Sequence, residues 1–249
     1  MSSDTFLPLQ LKPIAYIRSC YPERFGIPRQ AGLVKAAYGD IVFKTTEENR
    51  LALRGIDAFS HLWVIFVFHH EKFNQHNRPF RPLVRPPRLG GNKSVGVYSS
   101  RSPNRPNPIG LSAVRLKQVT EQGQEILLRV QGGDFLDQTP VLDIKPYIAY
   151  ADAIDDAHSG WAACQEPPLP VHWTQAAESA LYRQHSPEEA QALRALVDET
   201  LALDPRPGYE RGKDGRPNQR WNTQIDQYSL FWTVVNGAIS ITELTRVER

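Results

Sequence analysis

Residues 62–68 read LWVIFVF, seven consecutive apolar positions rich in β-branched and aromatic side chains. A half-solvated strand alternates apolar with polar residues, and an amphipathic helix repeats its apolar positions every three or four. This run does neither, so it predicts a central strand covered on both faces. Similar stretches occupy 11–19, 60–69 around the run itself, 94–99, 111–119, 125–132 and 140–147, each bounded by Gly, Pro or Asp. No amphipathic helix of ~10–15 residues recurs between them, which argues against a doubly wound α/β sheet. Short strands joined by Pro/Gly-rich connections predict a mainly β fold, a barrel or a sandwich.

The character changes after residue 152. Residues 153–173 mix acids, small residues and prolines and read as a linker. Residues 174–184 read as a short helix. Ser186 can cap a second helix, with Pro187 at its first position, Glu189 closing a capping box, an apolar face of Leu193, Leu196, Val197 and Leu201, and Asp204-Pro205 ending it. A polar loop follows, then two apolar runs flanking Asn236-Gly237, a strong hairpin signal. Residues 170–249 thus read as a small α+β lobe beside a β-rich stretch from residue 11 to about 150.

Composition limits the function classes. Cys20 and Cys164 stand far apart in unrelated contexts, which argues against a disulfide scaffold and a zinc site and places the chain in a reducing cytoplasm. His61, His69, His70 and His76 do not make a metal cluster, because adjacent strand residues point to opposite faces. No apolar run approaches the ~18 residues of a membrane span. The first residues, MSSDTFLPLQ, lack the basic and apolar regions of a secretory signal.

The net charge of +2 hides an asymmetry. Between Lys72 and Thr120 there is no Asp or Glu and there are ten Lys or Arg, so the rest of the chain carries −8. A stretch so free of acids predicts a polyanionic partner, the alternative being a chance cluster of basic loops. Within it Phe80 and Tyr98 are candidates for base stacking, whereas the five Trp residues read as core.

Three segments hold more Pro, Gly and polar residues than a fold requires: 25–33, 84–116 and 133–147. Pro103, Pro106 and Pro108 stiffen the second, and Gly90, Gly91 and Gly110 permit close backbone approach to a ligand. The alternative is that these prolines only prevent fraying or block a sheet edge.

At these segments the blocks PRQAGL, FSHLWVIFVFH, RPPRLGGN, SRSPNRPNPIGLS and LDQTPVLDIKPY closely resemble, in order and spacing, the TsaA-like family of tRNA methyltransferases. The resemblance covers residues 10–152, and DPRPGYERG (204–212) resembles the C-terminal extension of the bacterial members. It implies a single-sheeted β-barrel, an S-adenosylmethionine site unlike the Rossmann type, a homodimer, and N6-methylation of threonylcarbamoyladenosine next to the anticodon of threonine tRNAs. Position by position, it places cofactor contacts at Pro28, Arg29, Gln30 and Ala31, at His69, His70 and Arg101, and at Leu111, Asp137, Gln138, Thr139 and Pro140. The family usually has Gly at Gln138; a left-handed backbone there would cost a Gln ~1–2 kcal/mol.

Methyl transfer from a sulfonium needs an aligned nucleophile and no metal. The acceptor N6 must lose a proton, and by chemical type Asp137, Asp143, His69 and Tyr147 are candidate bases, with turn structure or burial as their alternative roles. Arg78, Arg81, Arg85, Arg88 and Lys93 are candidates for phosphates of an anticodon stem-loop. Arg105, Asn107 and Lys145 are candidates for the modified base and its carboxylate, and Arg206 and Arg211 for further contacts. Two alternatives stay open: an RNA-binding barrel without catalysis, and a methyltransferase with another acceptor.

Overall fold

The apolar segments of the first half pair antiparallel and close on themselves. In chain order they give strands β1 (Ala15–Ser19) and β2 (Tyr38–Lys44), helix α1 (Glu47–Ala52), strands β3 (His61–Val67), β4 (Leu83–Val84), β5 (Val95–Gly96), β6 (Ile109–Gln122), β7 (Glu125–Gln131) and β8 (Thr139–Pro146), and helix α2 (Ala149–Asp152). The computed structural model describes residues 9–69, 80–164, 166–211, 213 and 219–247. Six strands form a closed barrel in the order β1-β2-β7-β6-β3-β8, and β4 with β5 makes a separate two-stranded sheet. Closure pairs every strand on both sides, leaving no exposed edge.

In β3 only one face is fully buried. Leu62, Val64 and Phe66 point into the barrel, while Trp63, Ile65 and Val67 on the outer face are half-buried. The expected cover on both faces is therefore corrected: a barrel has a single interior, and its outer wall receives partial cover from neighbours. Tyr147 lies 5.5 Å from the Trp63 ring, and the Trp63 indole N–H donates to Asp152 at 3.0 Å. The interior is filled by Ile17, Ile41, Phe43, Leu62, Phe66 and Leu128 with their neighbours.

Strand β2 is not anticipated by the sequence patterns above. Its central Asp40 breaks the apolar signal, yet that residue is buried because Arg129, directly opposite on β7, grips both carboxylate oxygens at 2.5 and 2.9 Å. Segment 11–19 forms a strand only from Ala15 onward, after Pro13, which has no N–H to give a ladder. Segment 94–99 is a strand for two residues and then a 3-10 turn, Val97–Ser99.

The second half adds β9 (Val171–Trp173), α3 (Gln175–Arg183), α4 (Pro187–Ala202), β10 (Trp221–Ile225), β11 (Tyr228–Val235) and β12 (Ala238–Arg246). Its sheet runs β10-β11-β12-β9, with β9 parallel to β12. The capping box forms: the Glu189 N–H donates to Ser186 Oγ at 3.3 Å and the Ser186 N–H to Glu189 Oε2 at 3.0 Å. Asn236 and Gly237 both take positive φ, 52° and 73°, and join β11 to β12. β9 falls in the expected linker and β10 in the expected polar loop.

The two halves share a core. Cys20, Tyr21, Val34 and Ala37, from the connection between β1 and β2, pack with Leu181, Leu196, Trp232 and other residues of the second half. The Tyr21 hydroxyl meets Thr200 Oγ1 at 3.1 Å, and the Ala36 and Gln224 N–H groups donate to Glu199 at 3.0 Å and Glu23 at 2.8 Å. These contacts clamp residues 20–37 and so fix residues 28–31 at the barrel mouth.

Candidate active site

The three Pro/Gly-rich segments meet at one end of the barrel. Residues 26–31, the loop 84–112, and Asp134 and Leu136 before β8 line a single cleft of about 2270 Å³, together with residues from both faces of β3 and β6. Residues 158–163 and 166–169 supply a further wall: the Trp161 indole N–H donates to Ser99 O at 3.0 Å and the Arg88 guanidinium to Ala162 O at 3.4 Å. Inside the mouth, Gly110 faces Phe66 across the β3–β6 ladder, and a Cβ at Gly110 would lie 2.2 Å from the ring. The Phe66 ring is packed edge-on against Phe68 and Phe135, both at 5.1 Å, so it has little room to yield.

Of the residues expected at the cofactor, Pro28, Arg29, Gln30 and Ala31 line the cleft, as do His69, Arg101, Leu111 and Thr139. Arg101 donates to Gln30 Oε1 at 2.5 Å, tying the first segment to the second. Asp137, Gln138 and Pro140 stand behind the wall. Asp137 Oδ1 accepts from the Ser19 N–H at 2.8 Å, and the Gln138 N–H donates to Ile17 O at 2.8 Å. These bonds pin the turn to β1. Gln138 takes φ 61°, the left-handed conformation for which Gly is suited. His70 and Arg78 lie outside the described residues.

The four candidate bases separate. His69 lines the cleft, and Asp137 sits in the turn behind it. Asp143 and Tyr147 are not in the cleft lining: Asp143 pairs with Lys145 at 2.9 Å, and Tyr147 packs at 5.5 Å on Trp63, which does line the cleft. Lys145 is likewise absent from the lining, although it pairs in the β3–β8 ladder with Trp63.

The cleft is strongly cationic. Among the described residues, eight guanidiniums line it against three carboxylates, Asp134, Glu166 and Asp204. Arg81, Arg85, Arg88, Arg105 and Arg211 are among the eight; Lys93 and Asn107 are exposed on the same loop but outside the lining. Arg105 braces that loop by donating to Ser100 O at 2.9 Å and stands 5.9 Å over the Tyr98 ring. Tyr98 is exposed and 6.4 Å from the exposed ring of Phe80. Arg206 is corrected as a surface contact: its side chain is 4% exposed and grips Asp204 at 2.7 Å. Arg211 reaches the cleft, but it is bonded to Glu166 and donates to Asp204 O at 2.7 Å. Burial, and then the charge of Arg211, hold the Arg29 guanidinium below its ordinary pKa.

Two groups escape the sequence patterns. Asp134 lines the cleft and accepts from Ser112 Oγ at 2.6 Å; burial raises its carboxyl above the usual range, opposed first by the Ser112 bond. The sequence signal available for it is its place in the third Pro/Gly-rich segment, which does not distinguish it from Asp137. The wall of residues 158–163 and 166–169 carries no local signal, since its role depends on docking to the loop.

A model for the tRNA-methyltransferase O N-terminal domain matches residues 16–153, and one for the TrmO C-terminal domain matches residues 166–247. The chain belongs to the tRNA-methyltransferase O family. The tRNA (adenine(37)-N6)-methyltransferase of Escherichia coli K12 is 38% identical over 237 residues, spanning 94% of this chain and 97% of that protein. RcsF of Pseudomonas aeruginosa PAO1, named by inference an S-adenosylmethionine-dependent methyltransferase, is 41% identical over 222 residues, 89% of this chain and 91% of its own. The crystal structure of TrmO from Pseudomonas aeruginosa superposes with a TM-score of 0.72 at 32% identity, covering 98% of this chain and all of that one. This tRNA-methyltransferase O chain has the barrel and the appended lobe in the order that the two family models follow. No helix among its described residues is long and apolar enough to cross a membrane, and no group of three or more His, Cys, Asp or Glu among them could hold a metal ion.

Proposed function

We propose that this chain methylates N6 of threonylcarbamoyladenosine at position 37, beside the anticodon of threonine tRNAs, with S-adenosylmethionine as donor. The observation that carries the reading is the convergence of three sequence segments of a tRNA-methyltransferase O chain on one cationic cleft. At about 2270 Å³ the cleft exceeds the ~300–1,000 Å³ of a single small-molecule pocket, which leaves room for donor and nucleotide side by side.

The lining suits the donor: apolar surface at Phe66, Phe68 and Leu111, a backbone free of Cβ at Gly110, and hydrogen-bonding groups at Gln30, Arg101 and Thr139. Residues 28–31, His69, Arg101, Leu111 and Thr139 hold it in this reading, with the 137–140 turn supporting them from behind. S-adenosylmethionine supplies an electrophilic methyl group on a sulfonium. The protein's part is to exclude water and align the acceptor nitrogen. His69 is the one of the four candidate bases that lines the cleft, and it takes the N6 proton in this scheme.

Arg81, Arg85, Arg88 and Arg105 face the phosphates and the threonyl carboxylate, and Tyr98 offers a ring to an unpaired base. The working unit comprises a barrel domain of residues 10–152 and a C-terminal domain of residues 170–249, acts as a homodimer, and binds RNA in the cytoplasm. Incubation of threonylcarbamoyl-tRNA with the protein and labelled S-adenosylmethionine, followed by nucleoside mass spectrometry, tests it. Label is expected on N6 of threonylcarbamoyladenosine. Label on another nucleoside, or none, would sink this reading.

A further inference from the structure

We propose that Asp134 holds the α-ammonium group of the methionyl end of S-adenosylmethionine. The inference rests on the cofactor reading above and adds to it a residue that neither the family resemblance nor the named relatives assign.

Position comes first. Asp134 accepts from Ser112 Oγ at 2.6 Å, with the Ala31 backbone N–H and Arg101 near enough to influence its carboxylate. Ala31 and Arg101 are themselves placed at the cofactor, and Ser112 follows Leu111. The carboxylate therefore sits inside the proposed donor site, with part of its surface open to the cleft.

Charge comes second. A donor with two cationic centres entering a cleft of eight guanidiniums needs a local anion. Glu166 is committed to Arg211 and lies 3.8 Å from Arg29, and Asp204 is committed to Arg206 and Arg211. Asp134 instead takes its hydrogen bond from the neutral Ser112 hydroxyl. Burial raises its carboxyl, which means that its negative charge is under-solvated where it stands. A cation placed against it relieves that cost.

Reaction chemistry then selects between the two cations. The sulfonium loses its charge as the methyl group leaves, so a carboxylate against it would stabilise the starting complex more than the transition state. The ammonium keeps its charge throughout. A carboxylate there contributes binding and orientation without opposing the transfer, and an ammonium has hydrogens enough to reach the lone pairs that Ser112 leaves open.

Calorimetric binding to the full chain tests the assignment with three probes: S-adenosylmethionine, S-adenosylhomocysteine, and 5′-methylthioadenosine, which lacks the amino-acid end. Asp134→Asn keeps the size and can still accept from Ser112. It is expected to weaken the first two probes together by about 10- to 100-fold and the third by less than about twofold. Ser112→Ala keeps the charge but frees one oxygen, and is expected to weaken the first two by about three- to tenfold. It carries the test should Asp134→Asn not fold. Unchanged binding of all three, equal loss for all three, or a loss confined to S-adenosylmethionine overturns the proposal. A wild-type chain that binds none of the three overturns the cofactor reading itself, a distinguishable failure.

Discussion

Gln138 shows how one side chain can stand against its backbone. At φ 61° it occupies a conformation that costs an L-residue ~1–2 kcal/mol, and the turn persists because β1 holds it through the Gln138 N–H and the Asp137 carboxylate. Replacement by Gly removes the steric term and returns ~0.4–1 kcal/mol of unfolded-chain entropy. Gln138→Gly is therefore expected to raise stability by about 0.5–1 kcal/mol, read from the midpoint of urea unfolding at unchanged slope. A lower midpoint would show that the Gln side chain contributes more than the backbone costs. Asp134 and Asp137, three residues apart, show the converse: similar residues take different roles because one faces the cleft and the other faces β1.

At the scale of elements, the ladder between β3 and β6 sets the floor of the site. Phe66 and Gly110 are directly paired, and the ring of the first fills the space a side chain on the second would need. Gly110→Ala is expected to destabilise the protein by about 1–3 kcal/mol, the ordinary range for overpacking, since Phe66 is held by two further aromatic rings. The same variant narrows the cleft, so donor affinity falls with it. Thermal unfolding with and without S-adenosylmethionine separates the two effects; a variant as stable as the wild type would mean that the ring moves freely. The cross-strand pair of Asp40 and Arg129 belongs to this scale too: it lets a carboxylate stand within a buried strand.

For the whole molecule, the decisive feature is that the barrel's first connection is built into the core of the second lobe. Cys20, Tyr21, Val34 and Ala37 lose their partners if that lobe opens, and residues 28–31 lose their place at the cleft. One calorimetric transition is expected on heating, with Tyr21→Ala lowering the midpoint of the entire unfolding curve. Two separate transitions, or a change confined to part of the curve, would show that the lobes are energetically independent.

Sequence alone determined the mainly β first half, the capped helix α4, the hairpin at Asn236-Gly237 and the basic surface, because each is written in a local pattern of side-chain period, cap or charge. It also brought forward the blocks that converge at the barrel mouth, since stiff prolines and glycines are visible one residue at a time. Strand β2 was not legible, because its buried Asp40 is explained by an Arg 89 positions away. Nor could sequence leave Asp143, Lys145 and Tyr147 out of the cleft lining or bury Arg206, since closure decides what each strand presents to the cleft. The wall formed by residues 158–163 and 166–169, and the choice of Asp134 over Asp137 as the carboxylate in the cleft, arise from contacts between segments distant in the chain. Such contacts exist only after the barrel has closed and the second lobe has gripped its first loop.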